Sequence, residues 1–232
     1  MKMRKLVEGK AETDESARGK LISAGIEVFG EYGFDGATTR MISSRAGVNL
    51  AAIPYYFGSK KELYRAVVEQ IIIYAMESVK PLLDRINAEL ADRNLPRKRL
   101  LELLMEQLSL YVNLTLTSDM RHFDFFILRE QIRPSEAFSV FYNKITKYEH
   151  STCTEIVARL TGVSPDSDEA MIRAHSVLGE VAVFFAIRET ILRRLGRKEF
   201  TEKDIETVRH VIMGNIQAQF GGRGNCSRIA DS

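Results

Sequence analysis

The sequence is sparing in the residue types that carry catalysis, cross-linking or membrane insertion. Only two cysteines occur in 232 residues, Cys153 and Cys226. Two such distant residues make neither a disulfide framework nor a zinc spacing, and a reducing cytoplasm is the expected home. The four histidines, His122, His150, His175 and His210, lack ligand spacing, so no metal site and no cofactor is expected. No Ser/His/Asp or Cys/His pairing, phosphate loop or dinucleotide fingerprint appears, which argues against an enzyme. The longest apolar run, 181–187, falls far short of a membrane span of about 20 residues. Residues 1–10 are basic without an apolar stretch, which argues against a signal peptide. No membrane partner is expected. Charge of one sign is scarce too: the formal net is +2. Residues 1–66 carry a net of +3 and the remainder −1, a slight bias toward a basic front half.

Helical periodicity dominates from Ala17 onward, and strand-like alternation is almost missing. The chain therefore reads as all-α, with about nine helices. Residues 16–32 place Leu21, Ile22, Gly25, Val28, Phe29 and Tyr32 on one stripe. Short helices follow over 39–46 and 50–56. Ser59 and Glu62 have the spacing of a capping box that opens a helix running to about Val79, where Pro81 breaks or bends it. Residues 81–92, 97–117 and 120–132 read as helices. Pro134 is expected to start a longer one, with Phe138, Phe141, Tyr142, Ile145, Tyr148, Ile156 and Leu160 on its apolar faces. Pro165, after a Ser164 cap, is expected to start another that ends near Leu195. Thr201 caps the last. Residues 1–13 read as a loose basic tail and 222–232 as a flexible one.

The informative stretch is 33–60, GFDGATTRMISSRAGVNLAAIPYYFGSK. It reads as two short helices joined by a tight turn. Thr38 caps the first, Gly47 supplies a positive φ, and Asn49 caps the second. Ile42, Ala46, Val48, Ile53 and Phe57 form the inward set, against Val28, Phe29 and Leu63. This is the logic of a helix-turn-helix, whose second helix enters the major groove. Thr38, Thr39 and Arg40 then face a phosphate at a helix start. Leu50, Ala51 and Tyr55 lie on the outer side of the second helix, where apolar groups meet thymine methyls. Lys60, at the next helix start, suits another phosphate.

These residues resemble the DNA-binding domain of the TetR/AcrR family over residues 16–66. The shared pattern is Thr-Thr-Arg-x-Ile, then Ala-Gly-Val, then Tyr-Tyr-Phe-x-Ser-Lys-x-x-Leu. Further on, FILREQIRP at 126–134, LGEV at 178–181 and RETIL at 188–192 resemble the CecR-type subgroup. The resemblance implies a DNA-binding domain at 14–66 and a ligand-binding and dimerisation domain at 67–221. It implies a cytoplasmic, nucleoid-associated homodimer on double-stranded operator DNA, with the last two helices at the dimer interface. A cavity for a small-molecule effector would then release a repressor from a palindromic site. By matching position, Thr38, Thr39, Tyr55 and Lys60 would contact phosphates, and Asn49 through Tyr55 would read bases. A ligand-independent DNA-binding or adaptor protein is the alternative, with an all-helical enzyme behind it.

Two positions depart from the family pattern. Met41 stands where an acid is usual, so Thr38 must cap alone. Pro54 lies inside the recognition helix; an interior Pro costs about 3 kcal/mol, less near a helix start, so a short or tight first turn is expected.

Candidate pocket residues are Tyr111, Phe123, Phe126, Arg129, Glu130, Tyr142, Glu180, Phe184 and Arg188, although aromatics at helical spacing are more often plain core, and buried charges more often internal pairs. The helix around 177–192 is apolar on nearly all sides and needs two covers, its own core and a partner subunit. Val177, Val181, Phe185, Ile205, Val208 and Ile212 are the candidate interface residues.

Overall fold

The computed structural model describes residues 17–117 and 121–222, and the side chains of 121–124 lie outside that description. Among the described residues every regular element is helical. In chain order they are α1 (Ala17–Gly36), α2 (Thr39–Ala46), α3 (Ala52–Phe57), α4 (Lys60–Leu90), α5 (Arg97–Leu116), α6 (Arg121–Ile132) and α7 (Glu136–Phe141). A π-helical turn, Tyr142–Thr146, leads into α8 (Lys147–Thr161), followed by α9 (Asp168–Ala186), α10 (Arg188–Leu195) and α11 (Glu202–Phe220). No single described helix is long and apolar enough to cross a membrane.

The chain forms two compact units. One comprises the described parts of Met1–Ser78 and Thr117–Ile145, the other those of Val79–Leu116 and Thr146–Ser232. The first unit takes in α6 and α7 as well as the helix-turn-helix, so it is larger than residues 14–66. Its core is aromatic. Tyr64 meets Phe29 edge-on at 4.9 Å and stacks on Phe126 at 5.4 Å, and Phe126 meets Phe141 at 5.7 Å. Offset and edge-on pairs add about 0.5–1.5 kcal/mol each beyond their buried area. Gly25 lets α1 pass close to α4: a Cβ there would lie 2.7 Å from Val67 Cγ2.

The second unit packs α5, α8, α9 and α11 around Leu103, Leu104, Leu108, Ile156, Val157, Ala174 and Ile212. Arg97 ties it together, donating to the Leu160 carbonyl and, over 2.7 Å, to that of Phe220. These are the last carbonyls of α8 and α11, where a cation also opposes the helix dipole.

Several helix boundaries differ from the sequence expectation. Pro81 neither ends nor splits α4. It sits exposed while Val79, Leu83, Ile86 and Leu90 are buried. Burial of one such side chain is worth about 1.5–3 kcal/mol, so four outweigh a proline cost of about 3 kcal/mol. Pro134 does not start a helix, because Ser135 after it is the cap and accepts from the Ala137 amide at 3.1 Å. Likewise Ser164 and Pro165 lie in a turn, and Ser167 caps α9 by accepting from Ala170. The helix expected to run to Leu195 breaks at Ile187, with a bend of 63° between α9 and α10. Within α10 only Leu192 is buried; Glu189, Arg193 and Arg194 are exposed and Arg188 is half-buried. The π turn widens the helix by one residue and rotates the apolar stripe, leaving Phe141 and Ile145 buried and Tyr142 46% exposed.

Candidate nucleic-acid interface

The helix-turn-helix is fixed from inside. Ile42 and Ile53 are fully buried with Val28, Phe29 and Leu63, and Ala46, Val48 and Phe57 pack against that cluster. Thr38 has extended backbone and its hydroxyl oxygen accepts from the Met41 amide at 3.2 Å. Met41, in the place of the missing acid, contributes packing to the same core. Gly47 ends α2 at φ 65°. The Val48 amide then donates to the Ser43 carbonyl at 3.0 Å, and the turn closes.

Pro54 shapes the entry to α3 as its chemistry requires. Without an N–H it cannot donate to the Leu50 carbonyl. That carbonyl accepts instead from Ile53, one residue earlier, and Asn49 accepts likewise from Ala52. These three-residue closures are the tight first turn expected from the sequence. Asn49 Oδ1 accepts from the Ala51 amide at 2.9 Å, so Asn49 holds the turn while Ala51 occupies the cap position itself.

The outer surface gathers Thr38, Arg40, Asn49, Leu50, Ala51, Pro54 and Tyr55, all exposed, with Thr39 half-buried beside them. Tyr55 is 81% exposed and Leu50 43%. Tyr56 is also exposed and meets Tyr55 edge-on at 4.9 Å. Lys60 differs from the other candidates. Its ammonium donates to the Ala37 carbonyl at 2.7 Å and lies 4.5 Å above the Phe34 ring, so part of its donor capacity is spent inside the domain. Arg45 is engaged as well, with Glu27 at 2.6 Å.

The candidate pocket residues are shared between the two units rather than gathered in one. In the first unit, Phe126 is solid core. Arg129 reaches α1, where Gly33 (φ 71°, ψ 177°) interrupts the helix, and donates to the Glu31 carbonyl at 2.7 Å. Glu130 is buried. It accepts from the Tyr64 hydroxyl at 2.8 Å and from the amide and hydroxyl of Ser135 at 2.9 Å. Where the sequence suggested an internal ion pair, the described partners of this carboxylate are three neutral donors. Burial, and then the Glu130 bond, holds the Tyr64 phenol well above its ordinary pKa. Tyr142 points outward. In the second unit, Glu180 accepts from Asn215 at 3.0 Å, Arg188 lies 4.7 Å over the Phe200 ring, Phe184 is half-buried and Tyr111 bonds Gln107. Phe123 lies outside the described side chains.

The residues expected at a dimer interface on α9 and α11 lie mostly inside the protomer. Val177, Val181, Val208 and Ile212 are buried inside the protomer, and side chains already covered there cannot also form a second surface. Phe185 and Ile205 are half-buried. The apolar surface that remains on these helices is Met171, Ile172, Val183 and Val211, together with Gly179, Ala182, Gly214 and Ala218.

A buttressed helix-turn-helix with an apolar, outward recognition helix, in an all-helical chain, defines a DNA-binding transcriptional regulator. Residues 21–67 match the family model of the bacterial regulatory proteins of the tetR family, and residues 96–223 that of the C-terminal domain of the HTH-type transcriptional dual regulator CecR. The chain is 33% identical to the dual regulator CecR of Shigella flexneri over 202 residues, covering 87% of this chain and 90% of that one. The regulator RutR of Escherichia coli K12 is 40% identical over 65 residues, 28% of this chain and 31% of RutR. Among solved structures, a TetR-like regulator from Rhodococcus sp. RHA1 superposes at a TM-score of 0.57 with 14% identity, covering 89% and 97% of the two chains. The hemolysin II regulator HlyIIR does so at 0.54 with 16% identity, covering 89% and 98%. At those identities the likeness is one of fold. The chain belongs to the TetR family of transcriptional regulators, with a C-terminal domain of the CecR kind.

Proposed function

We propose that the chain acts by binding alone, as a cytoplasmic homodimeric repressor that leaves a palindromic operator when a small molecule enters its C-terminal region. The observation that carries the reading is the recognition surface. Leu50, Ala51, Pro54 and Tyr55 stand in solvent, while the opposite face of the same short helix is locked by Ile53. Leu50, Ala51 and Pro54 supply apolar contacts for thymine methyl groups in the major groove. Thr38, Thr39 and Arg40 at the start of α2 donate to one phosphate, and the Tyr55 hydroxyl to another. Asn49 Oδ1 is used within its own turn, so its base contacts run through the side-chain amide N–H groups. Lys60 reaches a phosphate through the donors that Ala37 leaves over.

The exposed apolar face of α9 and α11 supports the homodimer, because small residues there let two copies approach closely. The two recognition helices then meet successive major grooves about 34–36 Å apart. Release is a population shift: an effector that binds best to a state with the wrong spacing empties the operator. The relative CecR is named a dual regulator, which favours activation at some promoters as a second reading.

Selection from randomised duplexes, followed by anisotropy titration of the winning site, tests the reading. Affinity should exceed that for a scrambled duplex by at least about a thousandfold, with log K falling linearly in log salt. Equal affinity for both duplexes, or no salt dependence, would refute it.

A further inference from the structure

The second unit contains a polar cluster among α5, α8 and α9 that its own groups leave incomplete. Gln107, on α5, is fully buried. Its Nε2 donates to the Tyr111 hydroxyl and to the Glu149 carbonyl, both at 3.0 Å. The bond to the Glu149 carbonyl fixes the amide orientation, because a carbonyl only accepts and the donor must be the nitrogen. Its Oε1 is consequently a buried acceptor, and it has no partner. An orphaned acceptor of this kind costs about 1–3 kcal/mol and needs a donor.

The Glu149 carboxyl lies close by, on a half-buried residue of α8. Burial alone acts on it and pushes its pKa up to about 7; no cation among the described residues faces it. Other titratable groups lie around it. Burial holds the Tyr111 phenol and the Cys153 thiol, the latter at about 12, in their neutral forms. Burial and the neighbouring His175 on α9, 5.6 Å away ring to ring, push the His150 pKa down. On α4, Lys80 and Asp84 are engaged with each other, and Asp84 with Tyr148.

We infer that the Gln107–Tyr111–Glu149 cluster is the seat of the effector, and that the effector is an organic ammonium carrying an aromatic or alkyl body. This deepens the ligand-released reading above and rests on it. The ammonium charge compensates the Glu149 carboxylate, and one of its N–H groups goes to Gln107 Oε1. The Tyr111 ring offers a π face to the cation. A carboxylate or phosphate ligand would meet an unpaired carboxyl and an unpaired carbonyl oxygen, and is repelled. Where Glu149 is protonated beforehand, binding releases that proton to solvent.

The test uses the full-length protein and calorimetric titration with 2-phenylethylamine, 3-phenylpropylamine and hexylamine, each beside its alcohol and carboxylate counterparts. The amines should bind and the carboxylates should not. Glu149→Gln, close in shape, should weaken the amines at least about tenfold while circular dichroism keeps its helical signal. Affinity of the unaltered protein should rise about tenfold from pH 6 to pH 8, as Glu149 loses its proton. Equal binding of amines and alcohols, retention of amine affinity in Glu149→Gln, or no amine binding would each overturn the inference. Operator release distinguishes the two levels. Release by the alcohols or carboxylates alone would sink the ammonium assignment and keep the sensor. Operator binding indifferent to all nine compounds, with amines bound, would sink the sensor.

Discussion

Tyr64, on α4, donates to the buried Glu130 carboxylate on α6 over 2.8 Å. The same carboxylate takes the Ser135 amide and hydroxyl, so one buried acid joins α4, α6 and the cap of α7. Tyr64→Phe removes one of three donors from a buried charge and should cost about 1–3 kcal/mol in urea unfolding. Glu130→Leu orphans Tyr64 and Ser135 together and should cost more. A loss below about 0.5 kcal/mol for both would show that the triad is not holding the unit.

Gly33 adopts φ 71° and ψ 177°, a region essentially closed to side chains, and Arg129 crowds the place of its missing Cβ. Gly33→Ala should destabilise by about 1–3 kcal/mol. Gly25→Ala should cost about as much for another reason, overpacking against Val67. Thermal melts of the two variants decide both expectations.

Tyr55 touches only the recognition surface. Tyr55→Ala should leave unfolding within about 0.5 kcal/mol of the parent, and should lower operator affinity by about tenfold or more. Ile53→Ala, in the core beneath, should instead cost about 2–5 kcal/mol of stability. Comparable operator affinity in Tyr55→Ala and the parent would remove this tyrosine from the interface.

Glu149 makes stability depend on pH. Its carboxyl ionises at about 7 when folded against 4.5 in the open chain, so between those values the folded form binds more protons. Stability contributed by the protonated acid is full below about 4.5 and falls as pH rises, by about 3 kcal/mol in all above 7. His150, whose pKa is pushed down, works oppositely and loses its contribution as pH falls. Urea midpoints at pH 5 to 8 should therefore change slope in Glu149→Gln, exposing the histidine trend. Parallel profiles for the two proteins would contradict this.

Ile172 on α9 is 69% exposed, and Val211 on α11 is 48% exposed. On the dimer reading, Ile172→Lys with Val211→Asp should shift the sedimentation of the protein toward monomer. Val177→Ala should act on stability, since Val177 is interior. An unchanged sedimentation coefficient in the double variant would move the interface elsewhere.

The helix-turn-helix was readable in the sequence because its signals are local. Thr38, Gly47 and Pro54 act within four residues of themselves, and each does in the structure what its chemistry requires. Pro81 was misread because the burial that carries α4 past it comes from distant helices. Arg129 and Glu130 were recognised as embedded charges, but their partners, the Glu31 carbonyl and the Tyr64 hydroxyl, are about a hundred and about seventy residues away. Val177 and Val181 show the same limit: periodicity marks an apolar face without saying whether the protomer or a partner covers it. Gln107 and Glu149 escaped notice entirely, since a lone polar residue on each of two helices carries no pattern until they are brought together.

The brevity of α3 has a numerical consequence. Six helical residues span about 9 Å, and base pairs repeat about every 3.4 Å, so one copy samples roughly three letters of code. Three letters distinguish on the order of sixty-four words, against the roughly 10⁶–10⁹ competing sites of a genome. Addressing a single promoter therefore demands vocabulary from outside this helix: a second copy, the threonines at the start of α2, and the deformability of the intervening duplex.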